Sequence, residues 1–127
     1  MSKTATTGIA IVAPGGYAPD DAGVARAIAR LEQAGCRVFN YYDPAEKHQR
    51  FGAIDERRVA QLHEAARNPD VDIVLALRGG YGMSRILPQI DLALLANSSK
   101  RFVGHSDFTA LQMALLAMHG TMTFAGP

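Results

Sequence analysis

Five short apolar runs, separated by stretches with helical periodicity, set the strongest limit on how this chain can fold. Residues 9–13, 36–39, 73–77, 102–105 and 121–124 each read as a strand. The continuously apolar ones have the character of parallel strands buried on both faces. Between them, Val24, Ile28 and Leu31 recur at i, i+4 and i+7, one face of a helix. Asp20 and Asp21 supply N-cap chemistry before it, and Gly35 is placed to end it in the left-handed conformation. Val59, Leu62 and Ala66 share a face of a second helix, with Asp55 as its cap and Asn68-Pro69 as its stop. Residues 84–95 read as one or two short helices broken near Pro88. Phe108, Leu111, Leu115 and Met118 mark a further helix that Gly120 closes. Residues 40–54 read as a long loop.

Strand–helix alternation of this kind produces a parallel sheet with helices packed on it. The expected fold is therefore α/β: an open parallel sheet with helices on both faces, a flavodoxin-like three-layer sandwich of strand order 2-1-3-4-5. With 127 residues the chain is one domain's worth. It ends directly after a strand with no closing helix, so it is expected to be one domain of a longer protein.

Composition removes several function classes. A net charge of +1 gives no electrostatic footprint for nucleic acid. No apolar run approaches the ~20 residues of a membrane span. The polar stretch 1–7 lacks the basic and apolar regions of a secretory signal. A cytoplasmic location is expected, with neither membrane nor nucleic acid as a partner. The single cysteine, Cys36, excludes a disulfide framework and reads as a small core residue.

In open α/β sheets, ligands sit beyond the carboxyl ends of the strands. Three loops there carry unusual residues: Pro14-Gly15-Gly16-Tyr17, Arg78-Gly79-Gly80-Tyr81-Gly82 and Gly104-His105-Ser106-Asp107. The last runs strand, sharp turn, helix, as in a nucleophile elbow, although Phe108 stands where that motif has its second glycine. A serine at the start of a helix is also an ordinary N-cap, and the local pattern alone favours the cap. Asp107 at the helix start complements the helix dipole. The glycines of residues 78–82 allow a tight turn and bring backbone N–H groups close to a ligand. That loop could also be a bare turn, or hold a small anion in a flavodoxin-like regulatory domain. Arg85 has the planar fork suited to a carboxylate, yet an arginine on a helix surface more often makes a structural ion pair.

No base for Ser106 is evident. His105 is its neighbour on an extended chain and points to the opposite face. His119 lies ~20 Å along the following helix. His63 is at the far end of its helix, and His48 is in the irregular loop.

Taken together, and in this order, Arg78-Gly79-Gly80-Tyr81-Gly82, Arg85 and Gly104-His105-Ser106-Asp107-Phe108-Thr109-Ala110 resemble the signature of the LD-carboxypeptidase (muramoyltetrapeptide carboxypeptidase) family. The opening Val12-Ala13-Pro14-Gly15-Gly16-Tyr17, the middle Arg50-Phe51-Gly52 and Asp55-Glu56-Arg57-Arg58, and the closing Thr123-Phe124-Ala125-Gly126-Pro127 are similar too. Ala125 departs from the histidine or serine of many relatives.

The resemblance implies a two-domain cytoplasmic serine peptidase with a Ser–Glu–His triad, no metal and no cofactor. Its substrate would be a murein tetrapeptide, from which it releases the terminal D-alanine during cell-wall recycling. Ser106 maps to the nucleophile. Backbone N–H groups of Asp107 and of the pair Gly79-Gly80, with Gly80 favoured, map to the oxyanion hole, and Arg85 is a weaker candidate for substrate binding. The glutamate and histidine would lie in a C-terminal domain absent from these residues, so that residues 1–127 alone would be an inactive, nucleophile-bearing N-terminal domain. Such a domain is expected to self-associate, as a homodimer or aggregate, through the face left for its partner domain. A related immunity branch of the family, acting on peptidyl-nucleotides, is the neighbouring reading.

Overall fold

Parallel pairing joins every strand of the sheet in this computed structural model, which describes residues 6–126. The polar N-terminal stretch up to residue 5 and the closing Pro127 lie outside the described residues. The elements run β1 (Gly8–Val12), α1 (Asp21–Gln33), β2 (Arg37–Asn40), α2 (Asp55–Arg67), β3 (Ile73–Ala76), α3 (Met83–Ile86), α4 (Leu92–Asn97), β4 (Arg101–Gly104), α5 (Thr109–His119) and β5 (Phe124–Ala125). The strand order is β2-β1-β3-β4-β5, as the sequence predicts.

That order determines where the helices go. The chain steps one way from β1 to β2, then the other way through β3, β4 and β5. Right-handed crossovers therefore place α1 on one face and every later helix on the opposite face. On the crowded face, Ala10, Val12, Val74 and Phe102 meet Leu62, Ile86, Leu95, Leu111 and Leu115 in one core. Burying a side chain such as Phe102 contributes roughly 1.5–3 kcal/mol. The other face carries α1 alone. None of its residues is fully buried, and Val24, Ile28 and Leu31 are half-covered. The three-layer expectation holds, but one outer layer is a single helix.

The register aligns Ile11 with Leu75, Leu75 with Val103, and Val103 with Phe124 across the thin face. Only Ile11 in this row is buried, at 2% exposure, whereas Phe124 is 44% exposed. Cys36, read as a core residue, is only half-covered just ahead of β2 on this thinly protected side.

Helix ends explain most boundary differences. Gly35 (φ +94°) and Gly120 (φ +65°) both take the expected left-handed conformation. After Gly120 the Thr121 N–H is spent on the Leu115 carbonyl, so the last strand begins only at Phe124 and not at Thr121. Buried Gln112 fastens that short strand, donating from Nε2 to the Phe124 carbonyl at 2.9 Å. Two expected caps are not made. Asp20 occupies the N-cap position of α1 without a capping bond and pairs with Arg26 instead. Asp55 is the first helical residue of α2, and its carboxylate turns to two arginines.

The long loop is better ordered than its sequence implies. Asp43 caps a 3-10 turn at Pro44–Glu46, and Phe51 bridges to Gly16 and His48. Phe51 and Ala53 are buried, and Tyr42 receives the Ala18 N–H. The loop thereby packs beside the carboxyl ends of β1 and β3. No helix among the described residues is long and apolar enough to cross a membrane.

Candidate active site

The strand order reverses between β1 and β3, and the crevice at such a switch point is where open α/β sheets bind ligands. The loop after β1, the loop after β3 and the turn after β4 meet there. β4 ends at Gly104, and His105 is fully extended (φ −150°, ψ −174°). Ser106 then takes φ +59°, the left-handed region that a non-glycine residue adopts only under constraint. A 3-10 turn over Ser106–Phe108 leads into α5, and Ser106 stays exposed.

The elbow lacks its second glycine for a packing reason. Phe108 is 1% exposed and folds back under Gly104, where an added Cβ would lie 2.4 Å from the Phe108 ring. The missing glycine is supplied from another loop. A Cβ on Gly79 would lie 2.7 Å from both Cβ and Oγ of Ser106, so only glycine lets the two loops touch. Nor is Ser106 a helix cap. His105 and Phe108 hold the N-cap positions of the 3-10 turn and of α5, with no capping side chain.

The loop of residues 78–82 is fixed from below. The Gly79 carbonyl accepts the Gly16 N–H at 2.6 Å. In a trans peptide the Gly80 N–H points opposite to that carbonyl, away from Gly16. Gly80 itself has φ +107° and Tyr81 φ +61°, two successive residues in the left-handed region. Among the described residues, neither the Gly80 N–H nor the Asp107 N–H donates to any acceptor. Tyr81 is 85% exposed beside them.

Asp107 does more than complement a helix dipole. Its Oδ2 accepts the Gly82 N–H at 2.5 Å and the Met83 N–H at 3.0 Å, tying the turn after β4 to the start of α3. Its Oδ1 is buried without a partner among the described residues. The residue that sequence reasoning passed over is Arg58. It is fully buried, and its guanidinium donates to the carbonyls of Ala53 (3.1 Å), Pro14 (2.6 Å) and Gly82 (3.0 Å) and to Asp55 Oδ1 (2.6 Å). It stacks on Phe51, 4.4 Å from the ring centre. A signal was available: Arg58, Leu62 and Ala65 lie at i, i+4 and i+7, so Arg58 falls on the buried face of α2.

Arg85 is exposed and donates from Nε to both oxygens of Asp55, at 3.0 and 2.8 Å. This is the structural ion pair the sequence favoured. Burial alone would raise the Asp55 carboxyl, but Arg85 and then Arg58 outweigh it and hold it below the usual value. Burial draws Arg58 below the ordinary arginine range, with Asp55 opposing. Arg85 also borders a polar depression of ≈ 270 Å³ with His48, Phe51 and Glu56, and Ser106 is not part of its lining.

Among the described residues no histidine hydrogen-bonds Ser106. His105 and His119 are exposed, and His48 sits in the bridge to Phe51. His63 Nε2 accepts the Asp91 N–H at 3.0 Å, on α2.

The family model for the LD-carboxypeptidase N-terminal domain matches residues 9–126. A probable murein peptide carboxypeptidase of Bacillus subtilis is 35% identical over all of this chain and 39% of its own length. The crystal structure of a muramoyltetrapeptide carboxypeptidase from Oxalobacter formigenes is 58% identical, with TM-score 0.87, over 95% of this chain and 40% of that one. An MccF-like protein from Bacillus anthracis is 32% identical, with TM-score 0.85, over 96% of this chain and 38% of that one. The chain thus spans about two fifths of the length of these relatives. Its sequence from residue 9 to 126 and its fold agree on one assignment: the chain belongs to the LD-carboxypeptidase family, as its N-terminal domain.

Proposed function

We propose that this chain is the nucleophile-bearing part of a serine peptidase that releases the terminal D-alanine from murein tetrapeptides. One observation carries the reading. Ser106 is exposed in a left-handed turn, with Gly79 packed against its side chain and the Gly80 and Asp107 N–H groups beside it without an acceptor among the described residues. The murein substrate class is supported by the names of the Bacillus and Oxalobacter relatives.

In this reading Ser106 Oγ attacks the carbonyl of the scissile L,D peptide bond. A base takes its proton, and the negative charge that develops on the carbonyl oxygen is met by the Gly80 and Asp107 N–H groups. Such preorganised donors are often the largest single contribution to acyl transfer. Collapse of the tetrahedral species breaks the C–N bond, and D-alanine leaves with the proton. Water then hydrolyses the acyl-enzyme. A serine needs a base to become a useful nucleophile, and the histidine and glutamate that complete the triad come from outside these 127 residues. Arg85, half-committed to Asp55, contributes to substrate binding through its free guanidinium edge. The enzyme works in the cytoplasm.

The test uses the longest natural protein that carries this chain. It should release D-alanine from a murein tetrapeptide, and Ser106→Ala should abolish release and labelling by a serine-reactive phosphonate while leaving the fold intact. Turnover that survives Ser106→Ala refutes the assignment.

A further inference from the structure

Gly82 is gripped at both ends of its backbone by opposite charges. Its N–H donates to Asp107 Oδ2 at 2.5 Å, and its carbonyl accepts from Arg58 Nη1 at 3.0 Å. The same Nη1 holds the Pro14 carbonyl at 2.6 Å. Arg58 therefore ties the loop after β1 to the loop after β3, while Asp107 ties the loop after β3 to the nucleophile turn. A side chain on Gly82 has no room, because its Cβ would lie 2.7 Å from Arg58 Nη1 and 3.0 Å from Gly15 Cα. We infer that Arg58 and Asp107 are a clamp of two opposite charges that positions the Gly80 N–H through the backbone of Gly82. This rests on the serine-peptidase reading and adds two positioning residues to it.

The physical case comes from what else could hold that N–H in place. Gly80 and Tyr81 both have positive φ, a sequence of conformations that relaxes unless its two ends are fixed. One end is fixed by the Gly79 carbonyl on Gly16. The other end is Gly82, and its polar backbone atoms are taken by Asp107 and Arg58. Charged partners make such bonds roughly twice as strong as neutral ones. Arg58 also has no role at the surface, since it is fully buried and four of its N–H groups are aimed at loop acceptors and at Asp55. A buried charge of this kind is by itself weak evidence of a stabilising role. Both clamp residues also hold the Gly82–Met83 peptide, Arg58 through the Gly82 carbonyl and Asp107 through the Met83 N–H, so their effects on the reaction should be coupled rather than independent.

The experiment is a double-mutant cycle in the full-length enzyme with Arg58→Lys, Asp107→Asn and their combination. The readouts are kcat and KM for D-alanine release, affinity for a peptide boronic acid that forms a tetrahedral serine adduct, and thermal midpoint. A lysine nitrogen cannot reach four acceptors, and an asparagine replaces the charge on the Gly82 N–H. Each single change is expected to lower kcat by about 10- to 100-fold, on the scale of a weakened oxyanion donor. KM should stay within about threefold, and boronate affinity should fall in step with kcat. The double variant should be no slower than the worse single one. Independent losses that multiply, or a raised KM with unchanged kcat, would overturn the clamp. If Arg58→Lys does not fold, Asp107→Asn and Asp107→Glu decide alone: wild-type kcat and boronate affinity in both overturn it. Ser106→Ala, run alongside, separates this failure from failure of the peptidase reading, because only the latter leaves that variant active.

Discussion

Gly79→Ala should disable the enzyme with the smallest possible change, one methyl group. Gly79 does not have a positive φ, so alanine meets no backbone penalty there. The whole effect is steric. The new Cβ would lie 2.7 Å from Ser106 Cβ, 2.7 Å from Ser106 Oγ and 3.1 Å from Asp107 Oδ1. The hydroxyl can rotate away, but the Ser106 Cβ moves only with its backbone. That backbone is already held at φ +59° between β4 and α5. Restoring ordinary van der Waals separation of about 3.4 Å requires a displacement of about 0.7 Å of one loop against the other. Overpacking of a closed site by a methyl costs roughly 1–3 kcal/mol. The kinetic cost should be larger in relative terms, because a misplacement on the 1 Å scale can lower a rate by about 10²-fold. The assay is D-alanine release by the full-length protein, with thermal melting and circular dichroism to establish that the fold survives. Expected is a kcat down by about 10²-fold in a folded protein whose serine reacts slowly with a phosphonate probe. Wild-type turnover in folded Gly79→Ala would refute the claim that Gly79 and Ser106 form one site.

Three further outcomes follow from particular contacts. Ser106→Gly should abolish turnover yet raise the thermal midpoint, because a non-glycine residue in the left-handed region costs roughly 1–2 kcal/mol that glycine does not; a lower midpoint would show that the turn is unstrained. Residues 1–127 alone should release D-alanine at less than about 10⁻⁴ of the full-length rate, since losing triad members costs about 10⁴ or more; comparable rates would place a base within these residues. His63 is held below the ordinary histidine value, first by burial and then by Arg67, with Asp91 opposing. Only the neutral ring can accept the Asp91 N–H. Its stabilising effect is therefore complete above the unfolded value of about 6.5 and is lost as pH falls through the lower folded value. The thermal midpoint should drop as the pH is lowered below about 6.5, and less so in His63→Gln; identical pH profiles would remove His63 from the account.

The sheet was legible because its signal is long-range periodicity. The apolar runs around Ile11, Leu75 and Phe102 and the helix face of Leu111 and Leu115 leave few alternatives; the strand order comes from likeness to flavodoxin-like sheets, and crossover handedness then assigns each helix to a face. Element ends were less legible where side chains prefer distant partners to local caps. Asp20 and Asp55 look like caps in sequence, yet Arg26, Arg58 and Arg85 compete for them. The location of Ser106 at a strand-to-helix turn was legible from residues 102–108. Its left-handed backbone was not, because nothing in the one-dimensional pattern reports that Gly79 will supply the space that Phe108 denies. Arg58 was hidden for a similar reason. A charged residue next to Arg57 on a helix reads as surface, and three carbonyls brought to it by separate loops, together with Asp55, make burial tolerable.

The same contacts explain how an exposed serine is held in one orientation. Ser106 is exposed, so it is not oriented by walls around its hydroxyl. It is oriented from behind, by loops that touch where a Cβ is missing: Gly79 against Ser106, Gly15 beneath the Gly79 carbonyl and Gly82 against Arg58. Each of these approaches would be blocked by a single methyl group, with the hypothetical Cβ 2.4 to 2.7 Å from its neighbour. Close-packed backbones have little freedom to move independently. Bare glycine contacts would still leave peptide groups without partners, and unsatisfied buried carbonyls cost about 1–3 kcal/mol each. Arg58 removes that cost for Ala53, Pro14 and Gly82 together. Glycines therefore set how closely the loops approach, and one buried guanidinium makes the approach affordable in hydrogen bonds. Replacing either kind of residue should disturb the other, which is why the effects of Gly79→Ala and Arg58→Lys on kcat should fall short of multiplying when the two are combined.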